Sequence, residues 1–272
     1  MEISRLEYYK IDKINTENYN YLKEITMSGL GTIVNVVAII VGGLIGLLFK
    51  GGLKERFRSI LMEACGLAVI FIGAAGAFEM IFTIQDNKIK SGSTMLIVIS
   101  LVIGGLLGEL INIEKGLDTA GEKLRKLVKA DGDNRFVDGF VTASLVFCIG
   151  AMAICGPIDE ALTGDSTTLF IKSILDGVMV IVFTSVYGVG AIFSALAVGV
   201  YQGLITVFGV FIADFMNDAL ILNLSGVGSV LIFAVGLNLI RPKTIKVGNL
   251  LPALLIPVFY ELLKLVPFLP FN

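Results

Sequence analysis

Histidine is absent from this chain of 272 residues. That removes the commonest general base and the commonest transition-metal ligand together, so histidine-dependent chemistry is excluded. Charge is also scarce: 16% of the residues are Asp, Glu, Lys or Arg, against about a quarter in an ordinary soluble domain. There are three cysteines, Cys65, Cys148 and Cys155, all inside apolar runs and none in a Cys-x-x-Cys pair. Neither a disulfide framework nor a metal site is expected from them, and they read as packing residues. A net charge of −2, with no exposed domain to carry clustered Lys and Arg, gives no reason to expect a nucleic-acid partner. No G-x-x-x-x-G-K-S/T loop occurs, so direct ATP drive is not expected. No nucleophile, base and orienting group stand at motif spacing, which points away from an enzyme, a catalytic residue or a cofactor.

What the chain has in abundance is apolar length. Hydrophobic residues make up 56% of it, and the mean hydropathy is +0.88. Apolar runs near the ~20 residues needed to cross a bilayer recur throughout. Eight membrane segments are read at roughly 29–49, 61–83, 93–113, 137–155, 168–187, 190–213, 224–240 and 247–268. The fold expected is therefore an all-α, polytopic transmembrane bundle of 7–8 spans, with lipid as its principal partner. Residues 1–26 are polar and mixed in charge and form an amino-terminal extension. Met27 stands immediately before the first apolar run and is a candidate true start, leaving 27–272 as one integral membrane domain. That first run is too long for a signal-peptide core and lacks an A-x-A-like site, so cleavage is not expected.

Basic residues are distributed unevenly. The connections 50–58, 114–136 and 241–246 hold 13 of the 21 Lys and Arg residues, and the positive-inside rule places these three in the cytoplasm of a bacterial-type cell membrane. Both chain ends then lie outside, and the uncharged turn Tyr187-Gly188-Val189-Gly190 must also be cytoplasmic. The stretch from Ile113 to Val128 sets Leu117, Ala120, Leu124, Leu127 and Val128 on one helical stripe, as expected of a helix lying along the inner membrane surface. Ile40–Gly46 matches Val102–Gly108 as an I/V-G-G-L pattern, with a weaker echo between Phe71–Ala74 and Cys148–Ala151. Together these suggest a duplicated helical hairpin of the kind found in secondary transporters. The 31 glycines read as close-packing faces, which could also serve an oligomer.

The chemically informative stretch is Cys148–Gly177. Pro157 cannot donate a backbone hydrogen bond, so a broken helix is expected near Gly156-Pro157. Polar residues follow, with Asp159 and Asp165 as binding candidates; Asp165 or Ser166 is placed to cap the next helix. Lys172 and Asp176 then stand four apart on one face inside an apolar span, where charge must be paired or face a wet cavity. Asn35, Gln202 and Asn249 are further amides within spans, placed either to tie helices together or to line a shared polar cavity with the charge pair. The substrate- or ion-binding candidates are thus Asn35, Asp159, Asp165, Lys172, Asp176, Gln202 and Asn249, with Asn35, Lys172, Asp176, Gln202 and Asn249 expected near the midplane. Pro252 and Pro257 should kink the last helix.

From Met27 onward the chain resembles the YqgA/YdfK-like bacterial membrane proteins, a family of unknown function. The resemblance is carried by GTIVNVVAIIVGGLIG at 31–46, CGPIDEALTGDSTTLFIKSILDG at 155–177, FSALAVGVYQG at 193–203 and VGNLLPAL at 247–254. It implies an integral inner-membrane protein, with one member linked to biofilm behaviour, and no established activity. Where that family commonly has Gly-Pro-Met, this chain has Gly150-Ala151-Met152, which argues against a break at that turn. The leading expectation is a transporter or channel-like protein for a small polar solute or ion. The alternative is a membrane scaffold or regulator acting through lateral partners.

Overall fold

A computed structural model describes residues 29–50, 54–85, 88–130, 135–212, 216–242 and 244–264. The extension 1–26, Met27 and the last residues of the eighth segment lie outside them. In chain order the helices are α1 (Leu30–Lys50), α2 (Glu55–Ile81), α3 (Thr94–Ile111), α4 (Ile113–Leu127), α5 (Phe136–Cys148), α6 (Ala151–Thr163), α7 (Thr167–Tyr187), α8 (Ser194–Ile212), α9 (Asp218–Ile240), α10 (Val247–Leu250) and α11 (Leu255–Lys264). A short antiparallel hairpin, β1 (Phe82–Gln85) and β2 (Lys88–Ser91), joins α2 to α3. Helices dominate because in hydrocarbon every backbone N–H and C=O must be bonded within the segment.

Among the described residues, seven helical stretches are long and apolar enough to span, and the bent pair α5–α6, taken as one span, makes an eighth. The outward faces suit lipid. Leu110 is 84% exposed, Leu48 81% and Phe71 73%, and water-facing surfaces rarely carry such residues in continuous bands.

Cohesion comes from close approach at glycine, since lipid supplies little hydrophobic drive between helices. Along α1, Gly31 meets Leu169, Gly42 the Gly177 carbonyl and Gly46 the Ile181 carbonyl, so α1 and α7 run parallel. Gly66 lies against Gly236 and Ile240, and Gly73 against Ser229 and Phe233, so α2 and α9 run antiparallel. Gly104 abuts Ala253 and Gly108 the Asn249 carbonyl, which sets α3 against the last segment. The two I/V-G-G-L runs thus perform the same packing task on different partners. Their weaker echo diverges: Gly73 is a helix contact, whereas Gly150 is a break.

The α5–α6 pair bends by 55°. Ile149 is extended and Gly150 has φ 126°, ψ 158°, a region open essentially to glycine alone. This corrects two expectations. The break lies at Ile149-Gly150, and Pro157 sits inside α6, because proline keeps a helical φ and costs one backbone bond. Replacement of the family's proline by Ala151 does not straighten the turn, since Gly150 alone supplies the non-helical conformation. In the last segment Pro252 lies in a 3-10 turn, Leu251–Leu254, between α10 and α11, whereas Pro257 lies inside α11.

One end of the bundle collects the basic connections. Arg135 pairs with Glu55 at 3.7 Å and donates to the Val186 carbonyl at 3.3 Å, while Gly190 rests on the Phe136 backbone. The uncharged turn after α7 therefore lies at this basic end, as eight alternating crossings require. Gly188 makes it with φ 88°, ψ −153°. The amphipathic α4 docks there too, Gly121 touching Val137 and Phe140 of α5.

Candidate functional site

α7 is an apolar helix interrupted on one face by Lys172 and Asp176, and both are buried. Their ammonium and carboxylate form an ion pair across one turn. Asn35 of α1 donates from Nδ2 to Asp176 Oδ2 at 3.0 Å and to Gln202 Oε1 of α8 at 3.3 Å. Asn35 and Gln202 are completely buried. The Phe147 ring, at the end of α5 just before the break, lies 5.9 Å from Lys172 Nζ, within cation–π range. Three spans thus meet at four polar side chains, beside the broken one.

Two atoms of this cluster, Asn35 Oδ1 and Gln202 Nε2, find no hydrogen-bond partner. Reversing either amide does not help. A turned Asn35 would aim its oxygen at the Asp176 carboxylate, and a turned Gln202 would face the Asn35 amino group with its own. The surplus acceptor and donor follow from the arrangement itself. With the ion pair they offer a polar guest, or water, both hydrogen-bonding roles within a span.

Asn249, expected with this group, is elsewhere. It opens α10 just beyond Lys246, so it lies at the basic end, where Oδ1 accepts from Glu114 N at 2.7 Å and Nδ2 donates to Glu109 Oε2 at 2.6 Å. Lys246 Nζ reaches Glu109 Oε1 at 2.6 Å, and Glu114 Oε2 accepts from Gly248 N at 2.6 Å. These bonds clamp the α3–α4 elbow to the start of the last segment. Burial pushes the Glu114 carboxyl above its ordinary range despite the bond from the Gly248 amide.

Asp159 and Asp165 are exposed at the opposite end. Asp165 Oδ1 accepts from Thr167 N at 2.8 Å just ahead of α7, while Ser166, which holds the N-cap position, makes no side-chain cap bond; hydrogen bonds from the Thr167 hydroxyl and amide hold the Asp165 carboxyl below the usual range. The residue between them in function is Glu160, only 1% exposed, which the sequence did not single out among neighbouring acids. Its Oε1 accepts from Gly31 N, an amide of the first turn of α1, at 2.6 Å and from Ser166 Oγ at 2.5 Å. Its signal was helical period: Ala153, Gly156 and Glu160 share the buried stripe of α6, and Asp159 does not.

A bundle of apolar helices with a polar knot in its interior defines a polytopic integral membrane protein. Residues 30–262 match the family described as "Protein of unknown function (DUF554)", and the chain belongs to it. It is 39% identical over 227 residues to the uncharacterised membrane protein YdfK of Bacillus subtilis, covering 84% of this chain and 93% of that protein. It is 28% identical over 231 residues to the uncharacterised protein YqgA of Escherichia coli, covering 84% and 94%. No solved structure matches.

Proposed function

We propose that this protein is a transporter or channel-like protein of the cytoplasmic membrane that moves a small polar solute or ion through a site at Asn35, Lys172, Asp176 and Gln202. The observation that carries the reading is the buried ion pair joined to amides from two other spans, with an acceptor and a donor left over. Intramembrane ionisable groups are expensive and are kept where an ion or substrate passes. The break at Gly150 supports it, because discontinuous helices border the sites of many secondary transporters. The basic end faces the cytoplasm by the positive-inside rule, and the protein has no enzymatic role.

Proteoliposomes loaded in turn with a panel of monovalent ions and small polar solutes test this. Flux of at least one of them, lost in a Lys172→Met/Asp176→Leu variant that still folds, is the expected result. Absence of flux across the panel, or flux indifferent to that double change, would overturn it. A scaffold or regulator is the second reading. It is favoured by the broad apolar face of α3, where Met95, Val102, Leu106 and Leu110 are 56–84% exposed and free to meet a lateral partner.

A further inference from the structure

Among the described residues, three charged side chains are buried: Lys172, Asp176 and Glu160. Written in their ionised forms they sum to −1, one positive charge short of balance. An uncompensated charge away from water is costly. Asp176 has Lys172 as its counter-ion, so the deficit falls on Glu160.

The carboxylate of Glu160 is used unevenly. Oε1 takes both hydrogen bonds, from Gly31 N and Ser166 Oγ, and the buried Oε2 takes none. Two more buried oxygens without a partner belong to the first turns of α1, Thr32 Oγ1 and Asn35 Oδ1. Thr32 follows the residue that Glu160 grips. Asn35 lies three positions further along, on the same face of the helix. Its amino group is committed to Asp176 and Gln202, which leaves the oxygen to face elsewhere. A carboxylate, a hydroxyl and a carboxamide oxygen form a hard, all-oxygen donor set, suited to an alkali or alkaline-earth cation and not to a soft metal. One monovalent cation would bring the sum of these three charges to zero.

We propose that Glu160, Thr32 and Asn35 form a station for one hard monovalent cation between α1 and α6. As a binding site it stands alone. As the place where a coupling ion docks next to the solute, it rests on the transport reading, with Asn35 shared between the two positions.

The test uses the full chain purified in detergent, with thermal unfolding followed by a thiol-reactive dye that reports exposure of Cys65, Cys148 and Cys155. Sodium chloride is titrated against choline chloride at fixed pH and ionic strength. Sodium should raise the midpoint saturably. Thr32→Val, which removes one oxygen at constant shape, should weaken the half-saturating concentration about tenfold, and Glu160→Gln should abolish the shift. Should Glu160→Gln fail to fold, Thr32→Val carries the test. Identical midpoints in sodium and choline, a shift unchanged by Thr32→Val, or a midpoint set by pH and indifferent to sodium would each overturn the station. A sodium shift without flux of any solute removes the transport reading and leaves the station. Flux without a sodium shift does the reverse.

Discussion

Removing one member of the Lys172–Asp176 pair separates a structural role from a transporting one. In Lys172→Met, the Asp176 carboxylate stays buried with only the 3.0 Å bond from Asn35. Stranding one ion of a buried pair costs about 3–5 kcal/mol. That is a fifth or more of a typical stability of about 5–15 kcal/mol. Adding Asp176→Leu removes the stranded charge, and Asn35 keeps Gln202 as acceptor at 3.3 Å. The double variant should therefore recover to within about 1 kcal/mol of the parent, since apolar replacement of a whole buried pair is often neutral or stabilising. Lys172→Arg, which keeps the charge, should lose less than Lys172→Met. Denaturant unfolding in micelles measures all three, with flux read in parallel. A double variant as unstable as Lys172→Met would refute the pairing argument, and one that is stable and still transports would refute the site.

Gly150→Ala should destabilise the protein by about 1–3 kcal/mol, because no L side chain is at ease in the conformation of Gly150; thermal midpoints compare it with Gly116→Ala, where a methyl meets nothing within 4 Å and stability should hold or rise. Asn249→Ala strips Glu114 N and Glu109 Oε2 of their partner, at about 1–3 kcal/mol, so limited trypsin digestion should cut the α4 lysines faster while any flux persists. Glu114 carries a raised carboxyl pKa in the folded protein, so its contribution is complete below the ordinary value of 4.5 and is lost as pH rises through the raised value. Docking of α4 should loosen between acidic and neutral pH, and Glu114→Gln should flatten that dependence in proteolysis at graded pH.

Spans were legible because a bilayer fixes one length and one solvent for every segment, and eight runs met both conditions. Lys172 and Asp176 were legible for the complementary reason: charges spaced by one turn inside such a run have few places to go. The location of the helix break was not, because proline is conspicuous in sequence while the backbone turns on whichever residue tolerates a non-helical φ, here Gly150. Asn249 was misplaced since an apolar run does not announce where its first turn begins, and three residues decide between midplane and rim. Glu160 stayed hidden among Asp159 and Asp165 until α6 proved continuous through Pro157, which turns one acid inward and leaves its neighbour outside.

The elbow at Gly150 has a mechanical consequence. Its two arms are fastened to opposite rims: α5 through Phe136 and Gly190 at the basic end, α6 through the grip of Glu160 on Gly31 and Ser166 at the other. A jointed strut held at both feet can respond to a change in the spacing of the rims only by flexing in its middle, and that middle stands next to the ring that faces Lys172.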